Sequence, residues 1–176
     1  MPSDQRAGAH SRRRTLLFKG LALPRLLYRY RLGWLLGPRL LLLTHVGRTS
    51  GRTYHTVLEV VRRDPATGEV TVAAGWGPGT DWYRNVLHAG QAVITTGRRT
   101  TPVRVRALEA SEAESVLAGY ETRAPVPRPV VNSMLSRLLG WRYDGSPEAR
   151  ARAVQQLPMV AFRPAQRAGD RADPGP

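Results

Sequence analysis

The sequence predicts an α+β fold, mainly β: an antiparallel meander or barrel with flanking helices. Two observations carry this. From Leu40 onward the chain breaks into short β-rich runs, Leu40 to Val46, Thr53 to Val61, Val70 to Ala74, Ala92 to Thr96 and Thr101 to Ala107, each bounded by turn-forming residues. The links Arg63-Asp64-Pro65-Ala66-Thr67-Gly68 and Gly97-Arg98-Arg99 are too short for a parallel crossover, so the strands they join must pair as antiparallel hairpins. Within the last run, Val103, Val105 and Ala107 alternate with Arg104 and Arg106, as a strand with one face on a core and one in water requires.

Taken in order, the chain opens with a basic amphipathic arm over 1–38. Arginines (Arg12, Arg13, Arg14, Arg25, Arg29, Arg31) alternate there with Leu16, Leu17, Leu21, Leu26, Leu27, Trp34 and Leu35, and Pro24 interrupts the helical pattern. No apolar run approaches the roughly 18 residues of a membrane span. Ser11-Arg12-Arg13 ahead of Leu16, Leu17 and Phe18 resembles a twin-arginine signal, but Arg25, Arg29 and Arg31 cut the apolar stretch that should follow, so a cytoplasmic protein is expected. The folded domain is expected over 39–164. Its helices are predicted from Thr80 or Asp81 through Leu87, stopping at Gly90, and from Ala113 to about Tyr120 behind a capping box of Ser111 and Glu114. A third opens at Ser146-Pro147 and ends before Pro158. Pro158 to Phe162 reads as a closing strand, and 165–176 has the composition of a disordered tail.

The chain has 176 residues, enough for one domain with a sizeable core. With no cysteine, it can form no disulfide, thiolate metal site or Cys nucleophile, and redox activity must rest on a borrowed cofactor. The net charge of +14 attracts polyanions, whether cofactor phosphate, lipid headgroup or nucleic acid. Lys19 is the only lysine, a bias that reflects genome composition as well as function. The arginines of the Val103 to Ala107 strand carry no interleaved aromatics for base stacking, and no nucleic-acid partner is expected.

Three segments could carry chemistry. Gly47-Arg48-Thr49-Ser50-Gly51-Arg52 is a tight polar loop between apolar strands, with glycines that let N–H groups turn inward beside two guanidiniums. It suits a phosphate, and it equally suits an ordinary hairpin turn. In Ala73-Ala74-Gly75-Trp76-Gly77-Pro78-Gly79 a strand ends in glycines, but the dinucleotide pattern GxGxxG fails at Thr80 and no βαβ crossover surrounds it. Residues without bulky side chains there permit close approach of a flat ring. Third, Trp82-Tyr83-Arg84-Asn85 opens a helix; Trp82, Val86 and Ala89 form an apolar stripe that favours a core role for Trp82, whereas Arg84 and Asn85 are harder to explain as packing. His10, His45, His55 and His88 show no metal-ligand spacing, and no GxSxG elbow or Walker loop is present. Each histidine alone reads as structural or surface.

Taken together, Leu41 to Thr44, Gly47-Arg48-Thr49-Ser50-Gly51, Ala73-Ala74-Gly75-Trp76 and Asp81-Trp82-Tyr83-Arg84-Asn85, in this order and spacing, resemble the deazaflavin-dependent nitroreductases and quinone reductases over about Leu35 to Pro164. The resemblance implies an antiparallel split β-barrel of the FMN-binding kind. It also implies coenzyme F420, an 8-hydroxy-5-deazaflavin hydride carrier, with a quinone or nitroaromatic as acceptor. Arg48, Thr49, Ser50, Gly51, Arg52 and Thr53 would hold its phosphate, with Arg48 as the main charged partner. Ala74, Gly75 and Trp76 would line the ring, and Trp82, Tyr83 and Asn85 would close the pocket. The amphipathic arm would lie near a membrane holding a quinone. Thr49 stands where the family commonly has Lys, and Tyr54 where it often has Arg. Two other readings remain, an FMN- or haem-related split-barrel protein and a basic lipid- or nucleic-acid-binding module without activity.

Overall fold

The computed structural model describes residues 39–124 and 126–165; the basic arm and the tail lie outside them. Six strands, β1 (Leu40–Val46), β2 (Thr53–Arg63), β3 (Val70–Ala73), β4 (Gln91–Thr96), β5 (Arg99–Ala107) and β6 (Met159–Pro164), close into a barrel in the order β1-β2-β3-β6-β5-β4. Every pairing is antiparallel. The two short links are hairpins, as their lengths require; Thr96 pairs with Arg99 across a two-residue turn that places Gly97 at φ 59°, a conformation glycine adopts without strain. β2 runs past the expected end at Val61 to Arg63, because a register shift between Val60 and Arg62 lets the pairing with β3 continue.

Alternation decides what is inside. Along β1, Leu41, Leu43 and His45 are buried, and the two leucines meet Val70, Val72, Ile94, Val103, Val160 and Phe162 from the other strands in the barrel core. Removing a Leu, Val or Phe side chain of this kind from water contributes about 1.5–3 kcal/mol. Trp82 and Val86 of helix α1 (Asp81–Ala89) join the same core, so that helix is held against the barrel. Ala89, expected on the buried stripe, is exposed; Asn85 takes the buried place instead. Gly90 ends α1 with φ 65° as predicted. Thr80 occupies the N-cap without a side-chain cap, because its hydroxyl donates to the carbonyl of Gly77 at 2.5 Å.

Helices α2 (Ala110–Arg123), α3 (Arg128–Leu139) and α4 (Pro147–Gln156) build a second core with Tyr143, Leu157 and Met159. The expected capping box is not made. Glu109, in extended backbone, takes the N-cap without a side-chain hydrogen bond, and α2 starts at Ala110; Ser111 then falls inside the helix, its carbonyl accepting from the Ser115 hydroxyl. Ser146 caps α4 as expected, accepting from the Ala149 amide at 3.2 Å. The helix α3 was not predicted. Its Pro129 lies in the first helical turn, where proline costs no hydrogen bond.

Two buried carboxylates tie the layers together. Glu69 accepts from Arg106 at 2.8 Å and Arg163 at 3.1 Å, and Arg106 also grips both oxygens of Glu112. Thus Arg106, on the outward face of β5, is a charged clasp rather than a solvated side chain. Glu121, whose side chain is fully buried, accepts from Arg150 twice, from Arg128 and from the Tyr143 hydroxyl.

Candidate functional site

The β1–β2 hairpin folds back on itself through the Gly47 and Arg52 backbones, Gly47 N–H donating to the Arg52 carbonyl at 2.8 Å and Gly51 N–H to the Gly47 carbonyl at 2.9 Å. Gly51 sits at φ 64°. Gly47 is required sterically: a Cβ there would lie 2.7 Å from the Tyr54 ring and 2.5 Å from the Ser50 hydroxyl. Ser50 and Tyr54 share a hydrogen bond of 3.1 Å, so Tyr54 braces the turn, and the Arg52 amide also donates to Ser50 Oγ.

The hairpin meets the first turns of α1 at Arg48. Its backbone N–H and its guanidinium NH1 both donate to Asn85 Oδ1, at 3.1 and 3.0 Å, and the same NH1 reaches Asp81 Oδ1 at 3.1 Å. Asn85 is 4% exposed, and a buried amide of this kind must find partners; its Nδ2 finds the third, His45 Nδ1, at 3.3 Å. His45 in turn reaches Thr56 Oγ1 at 3.3 Å and stacks on Tyr54 at 5.8 Å between centroids. Burial, then the neighbouring His55, hold its pKa below the usual 6.5, against the opposing pull of Asp81.

The residues expected to hold a phosphate are therefore on one hairpin, and Arg48 and Asn85 are in direct contact. Among the described residues, the Thr49 side chain and the backbone N–H groups of Thr49 and Ser50 have no hydrogen-bond partner, and Thr49, Ser50, Gly51, Arg52 and Thr53 are exposed. Arg48 keeps its Nε and NH2 donors. These donors fit an anionic group, with Asp81, 84% exposed, as a competing carboxylate.

The glycine-rich loop after β3 leaves Ala74 fully buried and Trp76 59% exposed. A Cβ on Gly75 would meet only Leu138 of α3, at 3.9 Å, and one on Gly79 would meet nothing within 4 Å, so a flat ring can approach this backbone. Beside it, Val130, Met134 and Leu138 form an exposed apolar line along α3. No hydrogen bond among the described residues joins this loop to the hairpin; the two flank the start of α1. Trp82 is not part of any open surface: it is 7% exposed, packed in the barrel core, with Tyr83 edge-on against it at 5.9 Å. It shapes the site from behind. Burial raises the Tyr83 phenol above its usual pKa of 10.0, keeping it a hydrogen-bond donor. Sequence reasoning read His45 as structural or surface, and it named Asp81 within a family-like motif and Tyr54 at a family arginine position without giving either a site role. The signal for His45 was its position, two residues after Leu43 on the inward face of β1. No group of acidic residues and histidines capable of holding a metal ion occurs among the described residues, and no described helix is long and apolar enough to cross a membrane.

This architecture is a split barrel of the FMN-binding kind. A pyridoxamine 5′-phosphate oxidase-related, FMN-binding protein from Nostoc punctiforme shares it with a TM-score of 0.50 at 14% identity, over 81% of this chain and 78% of that one; at this identity the likeness is one of fold. Other similar solved structures include an F420-H2 dependent reductase, at 18% identity and TM-score 0.44 over 71% of this chain and 94% of that one. Another is PhzG from Burkholderia lata in complex with tetrahydrophenazine-1-carboxylic acid, at 16% and 0.45 over 85% and 75%. No family model matches the chain, and no curated protein matches it.

Proposed function

We propose that this protein is a deazaflavin-dependent oxidoreductase that binds coenzyme F420 and passes its hydride to an organic acceptor, a quinone or nitroaromatic. The observation that carries the reading is the joining of the hairpin to α1 through Arg48 and Asn85. It brings two of the four family-like motifs into contact and leaves a set of unpaired donors facing solvent. Arg48 Nε and NH2, the exposed Arg52 and the amides of Thr49 and Ser50 hold the phosphate; Thr49 and Ser50 supply backbone donors where the family has a lysine. Gly75 and Trp76 present backbone and an indole face to the ring, Ala74, fully buried in the barrel core, supports that loop from behind rather than lining the ring, and Tyr83 donates a hydrogen bond at the pocket edge. The coenzyme, when bound, supplies the hydride, and the chain supplies position. The exposed line of Trp76, Leu138, Met134 and Val130 suits an apolar, planar acceptor.

A second reading, FMN in place of the deazaflavin, is favoured by the fold shared with the FMN-binding Nostoc protein. The experiment mixes the protein with reduced F420 and, in separate arms, menadione or a nitroaromatic, and follows the return of the oxidised deazaflavin absorbance. Acceptor-dependent oxidation above the protein-free rate supports the proposal. Oxidation no faster than the control with every acceptor overturns it, and acceptor reduction with reduced FMN supplied anaerobically in a parallel arm, but not with reduced F420, selects the second reading.

A further inference from the structure

Asn85 sits between three polar groups, and their chemistry fixes its orientation. Arg48 offers only N–H donors, from its backbone and from NH1, so the amide oxygen must face Arg48 and the amide NH2 must face His45. The nitrogen it meets is His45 Nδ1, 3.3 Å away, which can then only be an acceptor. The ring proton must lie on Nε2, where it donates to Thr56 Oγ1 at 3.3 Å. One tautomer of one histidine therefore satisfies the whole chain of contacts from β2 to the hairpin arginine.

We propose that His45, neutral and protonated at Nε2, is the positioning residue of the anion site: it holds the Asn85 amide, and Asn85 holds Arg48 in place for an anionic phosphate group. The inference rests on reading the hairpin as an anion site. A proton added at Nδ1 would set N–H against the Asn85 NH2. Relief by an amide flip would then turn the NH2 toward the two Arg48 donors and release the arginine.

Among the described residues the groups facing His45 are few. β2 contributes Tyr54, stacked on the ring, and His55, bonded to Thr44 at 3.0 Å; α1 contributes Asp81, and the hairpin Arg48. The strand β4, paired with β1, carries no ionisable side chain. His55 opposes a charge on His45 and Asp81 favours one, while burial disfavours it most. The neutral form thus prevails at pH 7, and the charged form becomes the majority only below the ordinary value of 6.5.

The first test needs no coenzyme: long-range proton–nitrogen correlation spectra of the histidine rings at pH 7.5. The proposal expects His45 neutral with its proton on Nε2; a proton on Nδ1, or a cationic ring, overturns it. The second measures binding of oxidised F420 from pH 5 to 8 by the parent and by His45→Asn and His45→Leu. Asparagine keeps an acceptor at the Nδ1 position and cannot gain a proton. Binding should weaken at least tenfold in His45→Leu and stay within about threefold of the parent in His45→Asn. Binding by the parent should weaken as pH falls below 6.5, a loss absent from His45→Asn. Equal affinity in His45→Leu and the parent overturns the positioning role. If the parent binds no F420, the functional reading fails, and positioning is then judged on the Asn85 side-chain and Arg48 backbone amide signals. These should move in His45→Leu and hold in His45→Asn; unmoved signals in both variants overturn it.

Discussion

Replacing Glu121 by glutamine isolates the electrostatic anchor of the helical layer. The Glu121 side chain is fully buried, and its carboxylate receives Arg150 Nε and NH2 at 3.0 and 2.8 Å, Arg128 at 3.3 Å and the Tyr143 hydroxyl. Breaking one partner of a buried ion pair costs about 3–5 kcal/mol, because the other charge is left without compensation. Arg128 remains 59% exposed and Arg150 17%, so water relieves part of that, which places Glu121→Gln near the low end, about 3 kcal/mol. For a domain of this size that corresponds to a fall of roughly 10 °C in Tm. Burial alone would raise the Glu121 pKa, but the hydrogen bonds from Arg150 and Tyr143 and the Arg150 charge outweigh it and hold it below the ordinary 4.5. The pair's contribution is therefore complete above that ordinary value and is lost as pH falls through the lower folded one. Urea unfolding at pH 7 and at pH 3 is the assay. A difference between parent and variant under 0.5 kcal/mol at pH 7, or one that grows on acidification, would refute the reasoning.

Three further outcomes follow from the same geometry. Gly47→Ala places a methyl 2.7 Å from the Tyr54 ring and should cost about 1–3 kcal/mol by overpacking while weakening coenzyme binding in the same titration; unchanged values of both would exclude a tight turn. Trp82→Ala should lower stability by about 3–5 kcal/mol as a core truncation, whereas Trp76→Ala, at an exposed site, should stay within about 0.5 kcal/mol and reduce coenzyme or acceptor affinity. Paired denaturation and binding curves would expose a reversed pattern. If the basic arm touches lipid, as its alternation of arginines and apolar residues suggests, deleting 1–38 should abolish sedimentation with anionic vesicles, and unchanged sedimentation would rule the arm out.

Much of the barrel was legible because strand alternation and short links are local signals. Val103 to Ala107, and the turns at Asp64 and Gly97, fixed hairpins before any long-range contact was known. The capping box at Ser111 misled because α2 opens earlier, with Glu109 at its N-cap, and α3 went unread although its Pro129 suits a first helical turn. At the site, the hairpin and the glycine loop could be picked out by residue type. The contact of Asn85 with Arg48, and the burial of His45, could not, since each depends on α1 folding back over β1. Trp82 shows the opposite limit: its place among family-like motifs suggested a pocket wall, and its helical spacing suggested core, which is where it lies.

The central claim is tested most directly by titrating the purified protein with oxidised F420, following tryptophan quenching, with FMN and an Arg48→Ala variant in parallel. Saturable micromolar or tighter binding, preferred over FMN and weakened at least tenfold by Arg48→Ala, is the predicted result. Absence of F420 binding, or binding indifferent to Arg48, would contradict the account.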